Sequence, residues 1–120
     1  MVDSKPKLYR DLIDDLVQVC HSGQGQIGPD RARRGIWNPH ITEATAPDQH
    51  AMNLLLAKLG ASDRETIATF LAQAFEGGVF ETLKALETFE ITPFEEGYEG
   101  HPYEDFIARI SGEWEWPERS

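Results

Sequence analysis

A chain of 120 residues with 40% hydrophobic and 27% charged side chains is long enough to bury a core and too apolar to stay disordered. No run approaches the roughly 20 apolar residues of a membrane helix, and the opening MVDSKPKLYRD lacks the apolar run of a secretory signal. A formal net charge of -10 argues against nucleic acid and anionic membrane as partners.

These limits predict a single domain over residues 1–120, cytoplasmic, with its one cysteine reduced. The charge is unevenly spread. Residues 1–75 hold 8 basic and 9 acidic side chains, whereas residues 76–118 hold 2 and 12. The second segment makes a field that would attract a basic protein partner.

KLYRDLIDDLVQVCH, residues 7–21, places Leu8, Leu12, Ile13, Leu16, Val17 and Cys20 at helical spacing and predicts a first amphipathic helix. Cys20 falls on the apolar stripe and reads as a buried structural thiol. The following SGQGQIGPDRARRGIWNPHITEATA is broken by glycines, Pro29 and Asn38-Pro39, and predicts a long loop in the N-terminal half. PDRARRG can make one short helix there, and Ile36 and Trp37 are the expected anchors.

PDQHAMNLLLAKLG opens with Pro47 in a first helical turn and closes at Gly60, with Ala51, Met52, Leu55, Leu56 and Leu59 expected inward. Ser62 and Glu65 fit an S-x-x-E capping box. The helix that follows, around residues 63–75, is expected to be central, burying Ile67, Phe70, Leu71 and Phe75. Gly77-Gly78 should end or bend it, and the next segment, with Val79, Phe80, Leu83, Leu86 and Phe89, then forms an antiparallel partner or a bent continuation. Thr92-Pro93 marks a further boundary. Pro102 starts a last helix carrying Tyr103, Phe106, Ile107 and Ile110, and GEWEWPERS forms an irregular tail with Trp114 and Trp116. The fold class is all-α: a compact bundle of four to five helices.

Candidate chemistry is sparse. No pair among His21, His40, His50 and His101 is four residues apart, and one cysteine cannot supply a thiolate zinc set. No cofactor, metal or catalytic set is therefore expected. EEGYEGHPYEDF, residues 95–106, concentrates Glu95, Glu96, Glu99, Glu104 and Asp105 around His101. The spacing does not match a calcium loop, and a solvated face is the simplest reading. His101, directly before Pro102, reads as a helix-entry residue rather than a base. Trp37, Glu95, Glu96, Glu99, His101, Tyr103, Trp114 and Trp116 form the candidate interaction surface, since tryptophan and tyrosine are favoured at binding hot spots. Arg31, Arg33 and Arg34 are a candidate anion site, although pairing with carboxylates is the plainer role.

Four strings together, RRGIWNP (33–39), PDQHAMNLLLAKL (47–59), AFEGGVFETLKAL (74–86) and PFEEGYEGHPYEDFIARISGEWEWP (93–117), resemble a domain-of-unknown-function family of small uncharacterised bacterial proteins. The resemblance implies a bacterial, cytoplasmic protein and transfers no activity, cofactor or catalytic residue. The leading expectation is a small non-enzymatic interaction or toxin-neutralising protein with an acidic C-terminal surface. The alternative is a small hydrolase, or a phosphate- or metal-binding protein, using the loop arginines and C-terminal carboxylates.

Overall fold

The computed structural model describes residues 7–91, 94 and 96–117. Five α-helices follow one another: α1 (Lys7–Ser22), α2 (Ile27–Arg34), α3 (Pro47–Lys58), α4 (Ala61–Thr88) and α5 (Pro102–Ser111), with a short 3-10 turn at Gln24–Gln26. No strand occurs among the described residues, so the all-α class holds. The chain divides into two compact units. A central unit comprises Ser22–Phe75, and a terminal unit joins Met1–His21 to Glu76–Ser120.

In the central unit, α2 begins two residues before Pro29, so the first half of the expected loop is helical. Pro29 is tolerated there because the first four N–H groups of a helix have no intrahelical acceptor. Gly35 ends α2 with φ 80°, and its N–H meets the carbonyls of Arg31 and Ala32, each at 3.1 Å. Ala32, Leu56 and Ala68 are fully buried, with Trp37, Met52, Ile67 and Leu71 packed against them.

The remaining loop is held by Asn53 of α3. Its Oδ1 accepts the N–H groups of Trp37 (2.6 Å) and Asn38 (3.0 Å), and its Nδ2 donates to the Asn38 carbonyl (2.8 Å). Trp37 anchors the loop as expected, but Ile36 is exposed.

Three further expectations in this unit are corrected. In α3, Leu56 turns inward while Ala51 and Leu55 are exposed, because the helix presents Met52, Asn53 and Leu56 to the loop and core. In α4, Phe70 is 66% exposed, and Ile67, Leu71 and Phe75 are only half-buried. The inner stripe runs through Arg64, Ala68, Leu71 and Phe75 at steps of four and three, and Phe70 lies well off it at 100° per residue. The Ser62–Glu65 box does not form. α4 starts earlier, with the Gly60 carbonyl accepting the Arg64 N–H (3.0 Å), and Glu65 turns to Arg33 instead.

In the terminal unit, α1 buries Tyr9, Ile13, Val17 and Cys20, while Leu8 and Leu12 are exposed. Ile13, Val17 and Cys20 are thus buried as expected, and Tyr9 rather than Leu8 or Leu12 completes the buried stripe. Burial pushes the Cys20 thiol pKa up, with a smaller push from the charge of Glu76. No antiparallel pair breaks at Gly77-Gly78, because α4 continues through both for 28 residues. Each glycine costs about 1 kcal/mol relative to alanine, and the alanine, leucine, glutamate and lysine around them offset that cost. Phe89 and Ile107, expected inward, are exposed.

Glu90 has φ 60° after the end of α4, and the Ile91 N–H closes back on the Leu86 carbonyl at 2.8 Å. The Thr92-Pro93 boundary lies outside the described residues. α5 starts with Pro102 in its first turn after His101 and stops at Gly112, φ 75°.

Candidate functional site

The acidic segment is organised by the one carboxylate that points inward. Asp105, in the first turn of α5, is fully buried. Side chains on a helix lean toward its N-terminus, so Asp105 reaches back under the preceding loop. It accepts the N–H of Tyr98 (2.7 Å), the N–H of Glu99 (2.8 Å) and the hydroxyl of Tyr9 from α1. Three donors thereby satisfy a group whose burial would otherwise be costly.

Gly97 is required beside this lock. A Cβ there would fall 2.5 Å from Asp105 Oδ2 and 2.7 Å from the Tyr9 hydroxyl. Burial, the hydrogen bond to Asp105 and its charge raise the Tyr9 phenol well above its ordinary range. Around Tyr9 stand Phe94, Tyr98 and Trp116, with ring centroids 4.7, 6.4 and 6.0 Å away.

A second tie holds the tail. Trp116 is buried, and its indole N–H donates to Asp14 of α1 (2.8 Å). Arg109 donates from Nε to Asp14 (3.0 Å) and from Nη1 to the Trp114 carbonyl (3.0 Å), with its guanidinium 5.7 Å from the Trp116 ring centroid. Trp114 and Trp116 meet edge to face at 5.1 Å.

These two ties frame an open groove of about 770 Å³. Phe80, Tyr103, Ile107 and Trp114 give it apolar and aromatic surface. Glu99, Glu104 and Glu113 also line it, and among the described residues no basic side chain does. Lys84, one turn after Phe80 on α4, sets its ammonium 5.6 Å from the Phe80 ring centroid and 5.9 Å from that of Tyr103. Burial, then the charges of Glu87 and Glu104, raise the Tyr103 phenol pKa and favour the neutral ring.

The candidate residues fare unequally. Glu99, Tyr103 and Trp114 converge on the groove. His101 is the entry residue of α5, with Nδ1 2.5 Å from Glu87 Oε1 and its ring stacked on Tyr103 at 5.3 Å. Glu96 is exposed, and Glu95 lies outside the described residues. Trp116 was expected on the surface and is buried instead, its ring packed against Tyr9 and Tyr98 and its N–H donating to Asp14. Trp37 belongs to the core of the central unit.

Phe80, Glu104, Ile107 and Glu113 line the groove without having been among the expected surface residues. The i, i+4 spacing of Phe80 and Lys84 and the alternation of GEWEW were the available signals.

The arginine trio does not act together. Arg33 binds Glu65 (2.8 Å) and Asp30 (3.2 Å), and Arg31 lies over the Trp37 ring at 5.6 Å. The Glu65 hydrogen bond raises the Arg33 pKa, and the same bond lowers that of Glu65. All three arginines sit in the last turn of α2, where the helix end favours cations rather than bound anions. Among the described residues, no group of three or more His, Cys, Asp or Glu is placed to hold a metal ion. No helix there is long and apolar enough to cross a membrane.

The profile of the family of unknown function DUF6547 matches residues 2–118. The chain belongs to that family. The match covers both units, and the family's description assigns no activity. No curated protein and no solved structure matches the chain.

Proposed function

We propose that this DUF6547 member is a non-enzymatic interaction protein whose acidic C-terminal surface meets a basic protein partner. One observation carries the reading: the groove combines half-buried aromatic rings with Glu99, Glu104 and Glu113, and among the described residues no basic side chain lines it. Aromatic surface supplies contact energy at an interface, and an excess of like charge supplies steering toward an opposite charge. Segment 76–118, with 12 acidic and 2 basic side chains, adds a long-range field of the same sign. The Asp105 lock and the Trp116 tie give this surface a rigid backing, which lowers the ordering cost of binding.

The test begins with capture of a partner from the source cell. Association is then measured at low and high salt for the wild-type chain and for Glu99→Gln/Glu104→Gln/Glu113→Gln. The variant should fold normally, associate more slowly and show weaker salt dependence. Unchanged association kinetics with a confirmed partner would refute the acidic-face reading.

A further inference from the structure

The groove's chemistry narrows the class of basic group it takes. Twice in this chain an arginine guanidinium lies over a tryptophan ring, Arg109 over Trp116 at 5.7 Å and Arg31 over Trp37 at 5.6 Å. Arg109 shows the full arrangement, since it combines the ring contact with a carboxylate, Asp14, and a backbone carbonyl, that of Trp114. Trp114 is the third tryptophan. Among the described residues no arginine lies over it, and the groove it lines also holds Glu99, Glu104 and Glu113.

The Trp114 ring is fixed from behind by Trp116 and Tyr98, at centroid distances of 5.1 and 5.9 Å, and its carbonyl is fixed by Arg109. The remaining aromatic pair, Phe80 and Tyr103, stands near the Lys84 ammonium, so these rings sit beside a cation in the free protein.

We propose that the groove is an arginine slot: a guanidinium from an arginine-bearing segment of the partner stacks on Trp114 and forks onto the carboxylates beside it. The proposal rests on the acidic-face reading above and specifies its contact. Arginine suits the site better than lysine for three reasons. Its planar guanidinium matches both a ring face and a carboxylate pair. It is less strongly hydrated than an ammonium, so entering a half-buried groove costs less. Its donors are held in a fixed fork, so fewer geometries are lost on binding.

Glu104 is the best placed acceptor. It lies in the first turn of α5, half-buried, beside Tyr103. Glu99 is held at its backbone by Asp105, which fixes that side of the groove.

The experiment uses the full chain and two blocked peptides, one with two arginines spaced by glycine and one with lysines at the same positions. Binding is titrated by calorimetry and by tryptophan fluorescence at low and at moderate salt. The arginine peptide is expected to bind about tenfold more tightly than the lysine peptide, with the preference persisting as salt rises. Trp114→Leu should bring the arginine peptide down to the lysine level. Glu104→Gln/Glu113→Gln, which keeps every ring, should weaken both peptides while the circular dichroism spectrum stays unchanged. Trp114→Phe serves where the leucine variant fails to fold, and it should retain part of the preference.

Equal binding of the two peptides overturns the arginine slot and leaves the acidic face standing. Failure of both peptides to bind at low salt overturns the arginine slot and the acidic-face reading together. An arginine preference that survives Trp114→Leu or Trp114→Phe in full places the contact elsewhere and also overturns the proposal.

Discussion

The Tyr9 hydroxyl donates to the buried carboxylate of Asp105 across 96 positions of sequence. That one bond fastens α1 to the first turn of α5 and completes the acceptor capacity that Tyr98 and Glu99 fill from the loop. Asp105→Asn keeps the shape but replaces one accepting oxygen with a donor that faces other donors. Each buried donor left unsatisfied costs about 1–3 kcal/mol. Asp105→Asn should therefore lower the chemical unfolding free energy by several times the effect of Glu81→Gln at the exposed surface.

Gly97→Ala probes the same lock from the other side. The added methyl meets Asp105 and Tyr9 at distances that real side chains do not adopt. Overpacking of this kind costs about 1–3 kcal/mol. Thermal unfolding should fall clearly for Gly97→Ala. An unchanged midpoint would show that the loop moves aside freely.

The Tyr9 phenol gives a pH dependence with a definite sign. Its pKa in the folded state is raised, so between the unfolded value of 10.0 and the higher folded value the unfolded chain has lost a proton that the folded chain keeps. Stability from this group is fully present below about pH 10 and is lost as pH rises through the folded value. Denaturant midpoints measured from about pH 9 to about pH 11 should decline, and phenolate absorbance should show one tyrosine that ionises only with unfolding. Tyr9→Phe should flatten that decline while lowering stability near neutral pH, where the bond to the charged acceptor is worth about 1.5–3 kcal/mol.

Phe70 and Leu56 make a contrasting pair. Phe70 projects from α4 at 66% exposure, and Leu56 is fully enclosed. Phe70→Ala should stay within about 0.5 kcal/mol of wild type, whereas Leu56→Ala should cost about 2–5 kcal/mol. A large loss for Phe70→Ala would mean that its ring is covered in solution.

Gly77 and Gly78 lie within a continuous helix, and a Cβ on either would meet nothing within 4 Å. Replacing each with alanine should stabilise the protein by about 0.5–1 kcal/mol. A double variant with a higher midpoint and weaker partner binding would show that the pair is kept for a purpose other than stability.

Some helix entries and exits were legible in the chain, whereas others, such as the expected break at Gly77-Gly78, were not. Pro47 and Pro102 mark starts because a first turn needs no N–H from them, and Gly112 marks a stop because it adopts the left-handed conformation without strain. The phase of α1 was legible in part: Ile13, Val17 and Cys20 are inward as their spacing predicts, whereas Leu8 and Leu12 are exposed and Tyr9 turns inward, where its hydroxyl meets Asp105 far along the chain. The acidic run could not reveal that Asp105 alone points inward, since five carboxylates of similar type stand within twelve residues. Part of the groove was visible as Glu99, Tyr103 and Trp114. Phe80 and Glu113 join it only through tertiary packing.

The Asp14–Trp116 tie, spanning 102 positions, has a consequence for synthesis. During translation α1 emerges well before the tail, and Asp14 receives the Trp116 N–H only after residue 116 has left the ribosome. The central unit is built from the contiguous residues Ser22–Phe75, and its chain is complete far earlier. Birth order and completion order therefore run opposite for the first helix, whose last tie comes from the last tryptophan.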